Sequence, residues 1–264
     1  MIRTKKNTTI DISNNIPAIY ISGANYKTVI LMAHGIMGSK NEYLDTQARI
    51  AEALEDRGIA SLRIDFCGHG DSDRSLNDFC LYSQIKDLQD SIQWLKKQQY
   101  ESVVILGISF GAPPALIVSA LYPDFVSKCV LVSPVLNYKD TFVFPSCEWG
   151  KENFGLFRIL QGIQNNGISL SQDYTLSPKV LTDMLLVDVP SFVQKANLEI
   201  SVFHGDSDNM VPLSSAIELQ ELCNGVKLIK MLRTEHGITE VDDSDFSSLV
   251  TKHNLDSVVN ELCN

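Results

Sequence analysis

"VVILGISFGAPPAL", residues 103–116, runs four apolar residues into a glycine, sets a serine between two glycines and continues as a helix that opens with two prolines. An unbroken apolar run of this length, closed by a glycine, reads as a strand covered on both faces. Gly107-Ile108-Ser109-Phe110-Gly111 fits G-x-S-x-G, a sharp strand-to-helix turn that lifts the serine hydroxyl clear of the sheet edge. The glycines have a steric task, because side chains flanking so tight a turn would collide with it. Pro113 and Pro114 fit the first turn of the following helix, where their missing N–H groups have no intrahelical partner to lose.

Outward from this turn the chain alternates in period. Upstream, "TIDIS" and "AIYIS" around Asn14-Asn15 read as a hairpin, "KTVILMAHG" as a buried strand and "IASLRIDF" as another. Between Asn41 and Arg57, Leu44, Ala48, Ala51 and Leu54 recur at helical spacing, and Gly58 ends the pattern. Ile85, Leu88, Ile92 and Leu95 mark the inner stripe of a second helix. Downstream, a helix over about 110–122, the strands "KCVLVSP", "LEISVFHG" and "VKLIKML", a helix near 214–223 and a last helix over about 244–262 continue the series. Strands separated by helix-length segments require crossover connections. The fold class expected is α/β, a mostly parallel central sheet with helices on both faces, whose ligands sit beyond the carboxyl ends of the strands.

One stretch breaks the rhythm. Residues 137–190 show no clear strand and concentrate Tyr138, Phe142, Phe144, Trp149, Phe154, Phe157 and Tyr174. The expected organisation is a core of 1–136 and 191–264 with 137–190 inserted, either as a helical excursion with its own small core or as a lid over an apolar pocket.

A serine hydroxyl is a weak nucleophile at neutral pH and needs a base, which in turn needs an acid to orient it. "SVFHGDSDNMVP" presents Asp206 and Asp208 in a loop after one strand, and "LRTEHGIT" presents His236 after the next. All three candidate groups therefore follow sheet strands, in the order Ser, Asp, His. The backbone N–H of Phe110, next after the serine, is positioned to hold an oxyanion. His34 and His204 close apolar strands, which makes them structural candidates that aim ring nitrogens at loop carbonyls.

Bulk properties exclude other classes. A net charge of −10 argues against a grip on nucleic-acid backbones, which needs clustered Lys and Arg. No run approaches the ~18 apolar residues of a membrane span, and "MIRTKKNTTIDISNN" carries no apolar signal core, so a soluble cytoplasmic protein is expected. The six cysteines show neither CxxC pairs nor metal-ligand spacing. Reduced thiols, no metal and no cofactor are expected.

With these motifs in place the chain resembles the α/β-hydrolase superfamily of serine hydrolases from about residue 27 to its end, and "DFCGHGDSD" (65–73) is similar to a segment common in its members. The resemblance makes His69 structural rather than catalytic. It selects Asp208 over Asp206 as the acid, four residues after the histidine of "HGDSD", with Asp206 capping the turn. It also makes "AHGIMGSK" (33–40) the loop that supplies a second oxyanion N–H, from Ile36. Within the superfamily, "HGIMGSKNE" looks most like intracellular carboxylesterases of the cinnamoyl (feruloyl) esterase type, with monoacylglycerol lipases and acyl-thioesterases as near neighbours. Many of those esterases carry histidine before the elbow serine, whereas this chain has Ile108. Phe110 is expected to bring a bulky ring near the oxyanion site, which disfavours phenolic substrates held by polar contacts. The activity implied is hydrolysis of a small-molecule acyl ester. Thioester cleavage, or ligand binding without catalysis on the same fold, stay open.

Overall fold

The computed structural model describes residues 7–13, 15–24, 27–193, 198–241 and 248–264. In chain order the strands are β1 (Asn7–Ile12), β2 (Ile16–Ile21), β3 (Thr28–Ala33), β4 (Ala60–Ile64), β5 (Ser102–Ile108), β6 (Val126–Val132), β7 (Ile168–Ser171), β8 (Tyr174–Leu176), β9 (Ile200–Gly205), β10 (Val226–Met231), β11 (Thr239–Val241) and β12 (Ser248–Val250). The α-helices are α1 (Thr46–Asp56), α2 (Leu81–Lys97), α3 (Ala112–Leu121), α4 (Glu148–Asn153), α5 (Leu156–Gln164), α6 (Pro178–Leu186), α7 (Val189–Val193), α8 (Leu213–Leu222) and α9 (Lys252–Cys263).

Eight strands form the central sheet in the order β1-β2-β4-β3-β5-β6-β9-β10. The first pairs, β1 with β2 and β2 with β4, are antiparallel, and every pair from β4 to β10 is parallel. Successive side chains of a strand point to opposite faces, and here each face is covered by helices. Val103 and Ile105 of β5 join the core that contains Leu88 and Ile92 of α2 and Leu116 of α3. Val104, Leu106 and Ile108 join the one that contains Ile50 and Leu54 of α1 and Val258 of α9. Both-face burial is why these strands read as continuous apolar runs. The register sets the ends level: Ala33 pairs with Gly107, Ile108 with Val132, Val132 with Phe203, and Gly205 with Met231. The loops after β3, β5, β6, β9 and β10 consequently share one rim.

Two expectations require correction. The first helix starts at Thr46, not near Asn41, because Glu42, Leu44 and Asp45 adopt left-handed φ angles of 63°, 53° and 56°, which no α-helix accommodates. Leu44 is 37% exposed, outside the buried stripe of Ile50, Ala51 and Leu54. The last helix starts at Lys252, capped by the Thr251 side chain, and Ser248–Val250 is a strand; residues 242–247 of the expected span lie outside the described residues. Asn14 of the opening hairpin lies outside them too, while its strands pair as expected.

The segment between β6 and β9 holds α4 to α7 and also the hairpin β7–β8, where no strand was expected. Two strands of four and three residues are too short to establish a period over their surroundings. Its aromatics do not make a separate core. Tyr138 stacks on Phe110 (centroids 5.4 Å apart, 7° between planes), Phe142 meets both edge-on, and Phe154 meets Phe142 at 4.9 Å. Phe144 and Phe157 are exposed.

Candidate active site

Ser109 occupies the turn between β5 and α3 with φ 51°, a left-handed conformation that costs a residue with a Cβ of order 1–3 kcal/mol. Packing around the turn holds it there. A Cβ on Gly111 would lie 2.5 Å from the Ala33 carbonyl oxygen, and one on Gly107 would lie 3.0 Å from the Ala112 Cα. Glycine at 111 lets the elbow press against the end of β3, and glycine at 107 lets the start of α3 pack closely on β5. Pro113 and Pro114 stand in the first turn of α3.

The structure brings Ser109, Asp208 and His236 together. His236 Nε2 lies 2.9 Å from Ser109 Oγ, and its Nδ1 lies 2.9 Å from Asp208 Oδ2. With Nδ1–H donated to the carboxylate, Nε2 is left as the acceptor for the serine hydroxyl. The other carboxylate oxygen, Oδ1, accepts the N–H groups of Met210 and Val211, both at 2.9 Å, which fixes the side chain. Burial pushes Asp208 up, yet the charge and hydrogen bond of His236 outweigh it and hold the carboxyl down at about 2. Burial likewise pulls His236 down, and the charge and hydrogen bond of Asp208, then the charge of Glu42, raise it above the ordinary value of 6.5. The arrangement is suited to moving a proton from Ser109 to His236 while Asp208 stays ionised.

Neighbouring loops brace these three side chains. Ser207 donates its amide to the Thr234 carbonyl at 3.0 Å, which ties the aspartate loop to the histidine loop. Gly237 donates its amide to Ser133 Oγ at 3.0 Å, and Asn254 on α9 donates to Thr234 Oγ1 at 3.0 Å. The sequence reading missed Ser133 and Asn254. Ser133 carried a readable signal, as the residue after a buried strand on the same rim. Asn254, on a distant helix, carried none. Asp206 is exposed and outside the relay; it caps no turn with its side chain, which accepts the Ser207 hydroxyl at 3.1 Å.

His34 and His204 serve the scaffold. His34 Nδ1 bonds the Gly35 carbonyl at 2.7 Å and its Nε2 accepts the Phe66 amide at 3.0 Å, while His204 Nε2 bonds the Val211 carbonyl at 3.1 Å. Burial holds His34 at about 3 and lowers His204, so both rings stay neutral. His69 bonds the Cys67 carbonyl through Nδ1 and the Tyr174 hydroxyl through Nε2, at 2.9 and 2.7 Å. That hydroxyl also accepts the Met37 amide at 3.4 Å, linking β8 to the loop after β3.

A cavity of about 560 Å³ opens over Ser109 and His236. Ile36, Met37, Ile108, Val132, Met210 and Ile238 give it apolar walls, Trp149 is the contribution from the inserted segment, and Glu42 and Glu235 add carboxylates. No Lys or Arg lines it among the described residues. Ile36 borders the cavity, as expected of the loop after β3. The expectation for the Phe110 ring is overturned: it is fully buried against Tyr138, Phe142 and Phe79 and is absent from the cavity wall. Alternation along the elbow sends this side chain into the core while the serine faces the rim. Among the described residues no group of three His, Cys, Asp or Glu is placed to hold a metal, and the six cysteines are free thiols.

A mostly parallel sheet wrapped by helices, with a serine on the tight turn after β5, defines an α/β-hydrolase architecture. The chain belongs to the alpha/beta hydrolase fold family, whose sequence model matches residues 28–163. It is 29% identical over 122 residues to a putative 2-succinyl-6-hydroxy-2,4-cyclohexadiene-1-carboxylate synthase of Bacillus subtilis, covering 46% of this chain and 42% of that protein. It is 21% identical over 239 residues to the acylamino-acid-releasing enzyme of Mus musculus, covering 85% of this chain and 31% of that one. The chain thus spans well under half the length of these curated relatives. Among solved structures it resembles ferulic-acid-bound Est1E from Butyrivibrio proteoclasticus (TM-score 0.74, 20% identity, 97% and 96% of the two chains covered). It also resembles an esterase from Exiguobacterium antarcticum (TM-score 0.69, 16% identity, 98% and 100% covered). At these identities the likeness is one of fold. No helix among the described residues is long and apolar enough to cross a membrane.

Proposed function

We propose that the protein is a serine hydrolase that cleaves carboxylic esters of small molecules through an acyl-enzyme. The observation that carries this is the unbroken chain of contacts from Ser109 through His236 to Asp208 at the wall of the cavity. Ser109 Oγ attacks the ester carbonyl while His236 Nε2 takes its proton. The resulting oxyanion is held by the backbone N–H groups of Ile36 and Phe110, a kind of interaction worth about 2.7–4 kcal/mol per donor. Collapse expels the alcohol, which receives the proton from His236. Water, deprotonated by the same imidazole, then attacks the acyl-enzyme, releases the acid and restores Ser109. Asp208 keeps the imidazole in the tautomer that accepts at Nε2 and offsets the charge of the imidazolium.

The apolar walls and the two carboxylates favour an uncharged acyl ester over a substrate bearing phosphates or a free carboxylate. Thioester cleavage would use the same three side chains, and the lack of lining cations speaks for the oxygen ester. Residues 137–190 act in this reading as a lid: α4 leans on the acid loop, where Trp149 donates its amide to the Asn209 carbonyl at 3.3 Å, and Tyr174 meets the loop after β3. With the Phe110 ring away from the cavity, hydroxycinnamate esters belong among the candidates, in keeping with the likeness to Est1E. The test is a panel of aryl esters of rising acyl length, hydroxycinnamate methyl esters, monoacylglycerols and acyl-CoA, run on the wild type and Ser109→Ala. Turnover of oxygen esters that disappears in the variant supports the proposal. Equal turnover by both proteins removes it, and preference for acyl-CoA over matched oxygen esters replaces it with the thioester reading.

A further inference from the structure

Glu42 is a half-buried carboxylate on the cavity wall that the hydrolytic steps above do not use. Its backbone is held at φ 63°, ψ 172°, a left-handed region unfavourable to a glutamate. From there its side chain turns back on the loop after β3. Oε2 accepts the Gly35 amide at 2.7 Å, and Oε1 accepts the Tyr43 amide at 3.3 Å. No Lys or Arg forms an ion pair with it among the described residues. Gly35 immediately precedes Ile36 and packs on the nucleophile so closely that a Cβ there would lie 3.1 Å from the Ser109 Cβ. Fixing the Gly35 amide therefore fixes the start of the peptide whose next N–H faces the developing oxyanion.

We propose that Glu42 is a positioning residue for hydrolysis, which clamps the loop after β3 through the Gly35 amide and, from the cavity wall it shares with His236, acts as a second anion for that imidazole. The inference rests on the serine-hydrolase reading. A charge-assisted hydrogen bond to a carboxylate is about twice as strong as one to a neutral acceptor, so the clamp benefits from ionisation. The same charge favours the imidazolium that exists only after Ser109 has given up its proton. The charged and titratable groups around His236 are Asp208 from the loop after β9, Glu42 from the loop after β3, Glu235 on its own loop, and His204, 3.5 Å from Asp208 and neutral by burial. Burial raises Glu42 above the usual carboxylate range, while the Gly35 and Tyr43 amides and the charge of His236 pull it down.

Two variants separate the parts of this role. Glu42→Gln keeps an acceptor for Gly35 and loses the charge; Glu42→Ala loses both. The measurements are the NMR titration of the His236 imidazole, the pH dependence of inactivation by a fluorophosphonate, and kcat and KM on an aryl ester. Both variants are expected to shift the His236 midpoint to lower pH. Glu42→Ala is further expected to lose about tenfold to a hundredfold in kcat with KM little changed, as for a misaligned oxyanion donor, and Glu42→Gln to recover most of that loss. An unmoved midpoint in Glu42→Gln, or wild-type kcat in Glu42→Ala, overturns the proposal. Should Glu42→Ala not fold, the midpoint in Glu42→Gln decides alone. A wild type inert to both phosphonate and esters defeats the hydrolytic reading instead, and the imidazole titration still reads the electrostatic claim.

Discussion

At the scale of single residues, the chemistry open to the site depends on which protons are held where. His236 is raised above 6.5, and in the proposed mechanism it must be neutral to accept the proton of Ser109. Activity is therefore expected to fall as the medium is acidified through a midpoint above 6.5, read as the acid limb of kcat/KM; a limb near 4 would assign the titration to a carboxylate instead. Asp208→Asn keeps the shape but offers the imidazole an amide, and a loss of about 10⁴-fold in kcat is expected. Wild-type kcat in that variant would place the acid elsewhere, with Asp206 as the first alternative. The sequence offered Ser109 and His236 as a pair because a serine nucleophile needs an imidazole and both follow sheet strands, and the structure places the two side chains 2.9 Å apart. Asp208 was separated from Asp206 only by resemblance, since both share one loop. The structure separates them physically: Asp208 accepts two amides and the imidazole, whereas Asp206 is exposed.

At the scale of elements, the elbow is an assembly of β3, β5 and α3 that tolerates no added methyl group at Gly111. Gly111→Ala drives a Cβ against the Ala33 and His34 carbonyls at 2.5 and 2.6 Å. A stability loss of about 1–3 kcal/mol is expected in urea unfolding, together with loss of turnover as the serine shifts. Unchanged stability would show that the elbow yields more than packing allows. The hairpin β7–β8 is tethered by a hydroxyl, so Tyr174→Phe is expected to cost about 1 kcal/mol and to raise KM more than it lowers kcat; an unaltered KM would detach the hairpin from substrate binding. The buried strands were legible because burial on both faces leaves an unbroken apolar run, and the amphipathic helices because their inner stripe repeats at helical spacing. The hairpin was not, although Ile168, Leu170, Tyr174 and Leu176 alternate as strands do, because each strand is too short to fix a period. Nor was the start of α1, set by the left-handed residues at 42, 44 and 45 rather than by the apolar spacing.

At the scale of the whole molecule, the far edge of the sheet is held by a helix whose charges the sequence pattern did not single out. Glu261 on α9 accepts from Lys128 of β6 at 2.5 Å, Ser201 of β9 at 2.8 Å and Lys227 of β10 at 2.7 Å. Burial pushes its carboxyl up, but these partners hold it down at about 2. A depressed carboxyl contributes stability above its unfolded pKa and loses it as pH falls. Urea midpoints measured between pH 5 and 2 are accordingly expected to decline for the wild type, and less steeply for Glu261→Gln. At pH 7 that variant leaves Lys128 short of one anion and is expected to be less stable by about 2 kcal/mol. Equal acid slopes in the two proteins would remove Glu261 from the account. The same α9 carries Asn254, which steadies the histidine loop, so the sheet edge and the relay share one support.

The most direct test is peptide mass mapping of the protein after brief exposure to a fluorophosphonate. A single adduct on Ser109, absent from His236→Ala over the same interval, is the predicted result. An adduct on another residue, or none while ester turnover persists, would contradict the assignment of Ser109 as the nucleophile.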